Sequence, residues 1–400
     1  MLTLNQLKNQ YGNPDILIDS SYKDSNKYAV WGFKEVFEIN TNGCFHNDQL
    51  LTGEPFLLLQ DFITQSQNKT NTKDIACIGF ISYDFKNIIY DHIPFKNKEN
   101  NNFPLLWFCK PKLIKPYLEN NKINDSKGTL KMTKDIISLS KYAKKINLIK
   151  SHLKDGNVYQ INFTSKKKFQ STFNTSFDLY NSLKLKAKPK QGFFLHTNKF
   201  DILSFSPELF IKIDDGKIQT SPIKGTRPRS KNKIKDLALK KELIHSKKDK
   251  AEHLMIVDLL RNDLGKICKI GSIKVQDLYA IKSFPTVHHM VTKILGQIKD
   301  DISETEIIKA MFPGGSITGA PKESAMKIIN ELEEENRHIY TGSAGYICNN
   351  GDMSFNICIR TLLQFNDIYE YGIGGGIVWD SNIQDEWNEA HQKSEILSLL

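Results

Sequence analysis

Apolar and polar residues alternate over short runs along most of this chain and change to a three-to-four spacing over a few longer ones. Period two marks a half-buried strand and period 3.6 an amphipathic helix. Ala29 to Ile39 and Ile75 to Phe85 are predicted strands, with a helix near Pro55 to Gln67 between them. Polar stretches at about Lys96 to Asn102 and Glu119 to Gly128 are predicted loops. Tyr142, Ile146, Ile149 and Leu153 recur at helical spacing and are closed by Gly156, so a helix leads into a strand from Val158 to Phe169. In that strand Tyr159, Ile161 and Phe163 share one face. Gln160, Asn162 and Thr164 share the other, the face that can meet a ligand.

Further along, Leu209 to Ile213 and Lys217 to Ile223 flank Asp214-Asp215-Gly216, which is expected to form a three-residue hairpin loop. An odd loop would give Glu208 and Lys224 the same parity, so that both project from one face. Asn349-Asn350-Gly351 is a second hairpin turn and is expected to place Arg360 at the far end of the strand that starts at Met353. Ser303 with Glu306 forms a capping box, and Pro321 fits just inside the start of another helix. Glu252 lies on an amphipathic helix predicted to end at Gly265. Antiparallel meanders separated by helices make this an α+β chain.

Composition narrows the function classes. With 400 residues, 40% hydrophobic and 25% charged, the chain can bury a large core, and disorder is excluded. The net charge of +10 comes from lysines that read as scattered, without a basic stripe carrying interleaved aromatics, so nucleic acid is not the expected partner. An anionic substrate gains mildly from it. Six cysteines include no C-x-x-C pair and read as reduced core thiols. The N-terminus lacks the features of a secretory signal and no apolar run reaches the ~20 residues that span a bilayer, so a cytoplasmic enzyme is expected.

Two glycine-rich segments invite nucleotide readings and fail on detail. Phe312 to Lys322 has glycines at the P-loop interval, but Ala320 stands where lysine must reach the phosphates. Gly372-Ile373-Gly374-Gly375-Gly376-Ile377 lacks the last glycine of a dinucleotide fingerprint. Both can still offer backbone N–H groups to an anion such as a carboxylate. A lone glutamate on a helix is usually solvated, and Glu389 can pair with Lys393 four residues on. Magnesium nevertheless takes only one or two protein carboxylates, so Glu252 and Glu389 from separate helices would suffice. His289 alone reads as a core histidine, whereas Arg360 at the end of an apolar run calls for an anionic partner.

In order and spacing, from about Lys141 onward, these segments resemble the chorismate-utilising enzymes. The resemblance is carried by Gly156-Asn157-Val158-Tyr159-Gln160, Ser206-Pro207-Glu208, Pro222-Ile223-Lys224-Gly225-Thr226, the Ala251 to Asp263 helix, Gly319-Ala320-Pro321-Lys322, Ile359-Arg360-Thr361 and Gly374 to Ser381. The N-terminal third is similar only through Ile16-Leu17-Ile18-Asp19-Ser20 and Gly79-Phe80-Ile81-Ser82-Tyr83.

The resemblance implies a four-layer α/β/β/α sandwich with two large antiparallel sheets packed face to face. Residues 1–125 would be a β-rich N-terminal portion and 126–400 the chorismate-binding catalytic core of one composite domain. It implies Lys224 as nucleophile, Glu208 as general acid, and Glu252 and Glu389 as Mg2+ ligands. Around the substrate it implies Arg360, Tyr340, Thr318, Gly374, Gly375, Gly376, Lys322, His289, Gln160 and Thr226. Relatives that make isochorismate or salicylate carry a lysine where this chain has Gln160, and anthranilate-forming relatives usually lack a lysine at position 224. Gln160 with Lys224 therefore resembles the aminodeoxychorismate synthase branch, which joins chorismate and ammonia. Anthranilate formation and a non-catalytic chorismate-binding role are the alternatives. No glutamine amidotransferase or lyase segment is recognisable, so ammonia is expected from solution or a separate subunit.

Overall fold

The computed structural model describes residues 1–20, 27–68, 72–96, 98, 102–119, 128–135, 137–284 and 287–399. The predicted loops at about 96–102 and 119–128 lie largely outside these. The strands in chain order are β1 (Ile16–Asp19), β2 (Tyr28–Asn40), β3 (Gly43–His46), β4 (Gln49–Leu51), β5 (Ile75–Ile81), β6 (Leu106–Pro116), β7 (Leu130–Asp135), β8 (Gln160–Ser171), β9 (Gln191–His196) and β10 (Phe200–Ser206). They continue with β11 (Leu209–Asp214), β12 (Lys217–Ser221), β13 (Ile223–Pro228), β14 (Lys274–Ser283), β15 (Val287–Gln297), β16 (Gly319–Ala320), β17 (Ser343–Cys348), β18 (Met353–Asn356), β19 (Thr361–Phe365) and β20 (Ile368–Ile377). The helices are α1 (Leu4–Tyr11), α2 (Pro55–Ser66), α3 (Lys86–Ile89), α4 (Leu139–Lys154), α5 (Ser176–Ala187), α6 (Lys233–His245), α7 (Lys247–Ile267), α8 (Glu304–Met311), α9 (Lys322–Leu332) and α10 (Ile383–Gln392).

Among the described residues all strand pairs are antiparallel. One half of the sheet runs β7-β8-β20-β19-β10-β9-β1. The other runs β2-β6-β5-β17-β18-β11-β12-β15-β14. The halves are joined because β2 pairs with β1 through its first residues and with β6 along most of its length.

Period-two alternation assigns each face. Phe193, Leu195, Phe200, Ile202 and Leu363 of one half meet Ile78, Phe80, Trp107 and Cys109 of the other in a central core, where the Phe80 and Phe200 rings stand 5.6 Å apart. The intervening residues face outward. Leu17, Phe194, Leu203 and Leu362 pack beneath α1 and α5, while Cys77, Ile81, Leu106 and Phe108 pack beneath α2, α7 and α8. Helices therefore cover both outer faces, as the four-layer arrangement requires.

The N-terminal strands are built into this sheet, since β1 pairs with β9 and β5 with β17. Asp19 at the end of β1 accepts hydrogen bonds from Tyr117 (2.6 Å) and Tyr180 (3.2 Å) and pairs with Lys184 at 3.0 Å.

Several local expectations need correction. The β11–β12 loop has two residues, not three: Asp214 pairs with Lys217, and Asp215 (φ 51°) and Gly216 (φ 72°) form the left-handed turn. That loop alone would separate Glu208 from Lys224. A β-bulge between Leu209 and Lys212 adds the missing residue and restores their common parity. β18 stops at Asn356, and Arg360 sits with φ 52° just before β19 rather than at the end of a continuing strand. β5 ends at Ile81, where Ser82 caps a short 3-10 turn. α7 passes through Gly265 to the buried Ile267, because packing outweighs the ~1 kcal/mol that one glycine costs a helix. Pro321 is the N-cap of α9, one position before the expected place.

Candidate active site

β13, β8 and β20 converge with the facing ends of α7 and α10 on one side of the sheet. The glycine run is not a turn but part of β20, paired with β8 from Ile377 back to Tyr369. β19 pairs with β20 only as far as Tyr371, so the second edge of the run beyond that point is left open by β19. Lys393 reaches this edge and donates to the Gly374 carbonyl at 2.8 Å.

A side chain on Gly376 would put its Cβ 2.7 Å from Gln160 Nε2 and 3.1 Å from Lys224 Nζ. Glycine therefore keeps open a space between the lysine and the amide. Gln160 is fully buried, yet neither its Oε1 nor its Nε2 has a hydrogen-bond partner among the described residues. An unpaired buried amide costs on the order of 1–3 kcal/mol, which a polar ligand in that space would relieve.

Burial and four charged groups act on Lys224. Its ammonium has lost water, and this pushes its pKa down, with Lys393 adding to the effect while Glu252, Glu208 and Glu389 oppose it. Glu208, in the turn between β10 and β11, is buried and accepts a 2.9 Å hydrogen bond from Ser316. Burial raises its carboxyl to about 7, against the pull of Ser316 and Lys224. A depressed amine beside a proton-holding carboxyl is the pairing that covalent amine chemistry needs.

The carboxylates on the facing helices form a second cluster. Glu252 on α7 is half-buried, and its pKa is raised by burial, with Glu386 contributing in the same direction. Glu386 on α10 is buried, accepts from Ser381 at 2.7 Å, and lies 3.5 Å from the Lys248 ammonium. Lys248 also stands 3.9 Å from Glu252, so two carboxylates from different helices address one cation. Glu389 pairs with Lys393 at 2.8 Å, which lowers its pKa. Hard oxygen donors from Glu252, Glu386 and Glu389 are a donor set that suits a magnesium ion.

Arg360 anchors a third cluster. It is half-buried, desolvation lowers its pKa, and no carboxylate among the described residues pairs with it. His289 on β15 bonds the Thr226 hydroxyl at 2.9 Å and is kept neutral, its pKa lowered to about 3 by burial with help from Arg360 and Lys190. Tyr371 couples to both Arg360 and Tyr340. Tyr340 lies flat against β20, where a Cβ on Gly372 would overlap its ring at 2.1 Å. β13 and β20 tie this cluster to the first, since Thr226 follows Lys224 across a bulge at Gly225 (φ 75°).

Thr318 is fully buried and donates to the Gly314 carbonyl at 2.8 Å, holding the short β16 beside Gln160. Lys322 is not brought to these groups. It donates to Asp263 at 2.6 Å and ties α9 to α7. Sequence reasoning missed Glu386, Lys248 and Ser316, and named Lys393 only as the partner of Glu389. Glu386 and Glu389 stand three apart on one helix, and that spacing was a usable signal. Ser316 gave none.

Among the described residues, the group of acids close enough to share an ion by geometry alone is Asp214, Asp215 and Asp352, far along the β11–β12 hairpin. Lys73 already occupies it, 2.6 Å from Asp214 and 3.0 Å from Asp215.

Known proteins resemble the chain in both sequence and fold. It is 41% identical over 253 residues to aminodeoxychorismate synthase component 1 of Salmonella typhimurium, which is 63% of this chain and 55% of that protein. It is 41% identical over 218 residues to anthranilate synthase component 1 of Saccharolobus solfataricus, 54% of this chain and 52% of that protein. The matches thus span about half the length of these relatives. The solved structure of anthranilate synthase component I from Streptococcus pneumoniae superposes with a TM-score of 0.83 at 24% identity, covering 95% of this chain and 94% of that one. The sequence profile of the chorismate binding enzymes matches residues 13–398, and the chain belongs to that family.

Proposed function

We propose that this chain joins ammonia to chorismate, giving 4-amino-4-deoxychorismate, with Lys224 as the nucleophile. The observation that carries this reading is the space kept by Gly376, where a desolvated lysine and an unpaired buried amide meet, with a buried carboxyl raised to about 7 acting on that lysine. Identity to the Salmonella aminodeoxychorismate synthase component supports it.

In the first step the neutral Lys224 amine adds to ring carbon 2, both conjugated ring double bonds shift, and the C4–O bond breaks. Glu208 gives its proton to the departing hydroxyl, which leaves as water. Ammonia then adds at carbon 4, the shift reverses, and the C2–N bond breaks to release Lys224. The new C4 ammonium returns one proton to Glu208, so chorismate and ammonia become product and water. Arg360 with the open edge of β20 binds the enolpyruvyl carboxylate, and neutral His289 and Thr226 line the same wall. Glu252, with Glu386 and Glu389 across the cleft, would hold Mg2+, which when bound offsets the charge of the ring carboxylate.

Anthranilate formation is the second reading, favoured by the 41% identity to the Saccharolobus protein. Lys224 argues against it, because addition of ammonia directly to carbon 2 leaves a lysine nucleophile no task. The purified chain given chorismate, an ammonium salt and Mg2+ decides between them: aminodeoxychorismate supports the first reading, and fluorescent anthranilate overturns it.

A further inference from the structure

The charge of this chain is less evenly spread than its lysine content suggests. Ten basic and three acidic side chains fall between Arg227 and Lys250, so 24 residues carry +7 of the net +10. They form the end of β13, all of α6 and the start of α7. Lys231, Lys233, Lys235 and Lys241 are exposed, and among the described residues none forms an ion pair. The three acids of this stretch are already engaged: Glu242 and Asp249 by Arg227, Asp236 by Arg229.

α6 has almost no apolar face. Ile234 and Leu237 are exposed, and Leu243 is its buried residue. Burying this helix is therefore not what its sequence is built for. Its position is specific, because Leu243 packs against Gly225, the residue after Lys224. At the far end of the stretch Lys248 reaches Glu252 and Glu386. The basic surface thus borders the site on the α6 side. Acidic α10 borders it on the other, contributing Glu386 and Glu389 to the metal-suited cluster.

We infer that the Arg227–Lys250 surface is an electrostatic collector that draws a dicarboxylate substrate into the site, acting on capture rather than on the chemical step. Fixed charge of one sign beside a cleft raises the local concentration and association rate of the opposite ion by about 10–10³-fold. At an ionic strength of about 0.15 M the screening length is about 8 Å, so the effect weakens as salt rises. The inference rests on the proposed reading of the site, because it needs an anionic substrate.

The test uses the full chain and stopped-flow quenching of its tryptophan fluorescence by chorismate, with Lys231→Glu, Lys235→Glu and Lys241→Glu combined. None of these touches the site, and an unchanged melting temperature confirms folding. The parent's association rate is expected to fall about tenfold or more between low and high salt. At low salt the variant should be at least tenfold slower than the parent, converge with it at high salt and keep the parent kcat. A parent rate indifferent to salt, or a variant matching it at low salt, overturns the inference. Absence of chorismate binding removes both the inference and the proposed function. Salt-steered binding with a different product leaves the collector standing and overturns only the aminodeoxychorismate reading.

Discussion

Glu208 keeps a proton near neutrality because its carboxyl is buried, and the Ser316 hydrogen bond and the nearby lysine only partly compensate. Replacing it with glutamine keeps the shape and removes the transferable proton. Glu208→Gln should lower kcat by about 10²–10⁴ while chorismate still binds. Retention of parent kcat would exclude it as the acid. The same burial has a stability signature. A carboxyl raised from 4.5 to about 7 stabilises the fold fully below pH 4.5, and this contribution is lost as pH rises through about 7. Relative to the parent, Glu208→Gln should therefore gain up to about 3 kcal/mol between these limits. Chemical denaturation across pH checks this, and a difference that does not change with pH contradicts it. Lys224 and Glu208 were singled out in the sequence by their resemblance to the chorismate-utilising enzymes, and Arg360 also as a charge at the end of an apolar run. Ser316 was not, because a serine next to two glycines announces nothing until the fold brings it to Glu208.

The glycines of β20 differ in purpose although they are sequence neighbours. Gly376 faces Lys224 and Gln160, whereas Gly372 faces the ring of Tyr340. Gly376→Ala should cut activity strongly with little change in melting temperature, since its Cβ would enter the ligand space. Gly372→Ala should destabilise the chain by about 1–3 kcal/mol through overpacking. Equal effects of both on stability would mean that the run is only structural. β2 was predicted almost to both ends and β5 to its start, although β5 is apolar throughout and buried on both faces, so it is a continuous apolar run and not an alternation that marks it. Registers were not predicted. The β11–β12 turn was misread by one residue, and the bulge that corrected it leaves no trace in residue type, since it answers to the pairing of β11 with both β12 and β18. α7 ran past Gly265 for a similar reason, as contacts with the sheet decided what local propensity could not.

At the scale of the whole molecule, strands from the first 125 residues complete both halves of the sheet, so the site depends on contacts distant in sequence. The ammonia source also belongs to this scale. All six cysteines are buried and their thiols are pushed upward by desolvation, so none offers the thiolate that glutamine hydrolysis requires. The chain alone should use ammonium salts but not glutamine, and should gain glutamine dependence only with a partner subunit. Glutamine-driven product with free ammonia removed would contradict this. Covalent attachment of Lys224 to the substrate can be seen by mass spectrometry of the chain quenched after exposure to chorismate and Mg2+ without ammonia. One added chorismate less one water is expected, mapped to the peptide containing Lys224, absent from Lys224→Ala and discharged when ammonium is supplied. An unmodified Lys224 in a preparation that forms aminodeoxychorismate at full rate would contradict it.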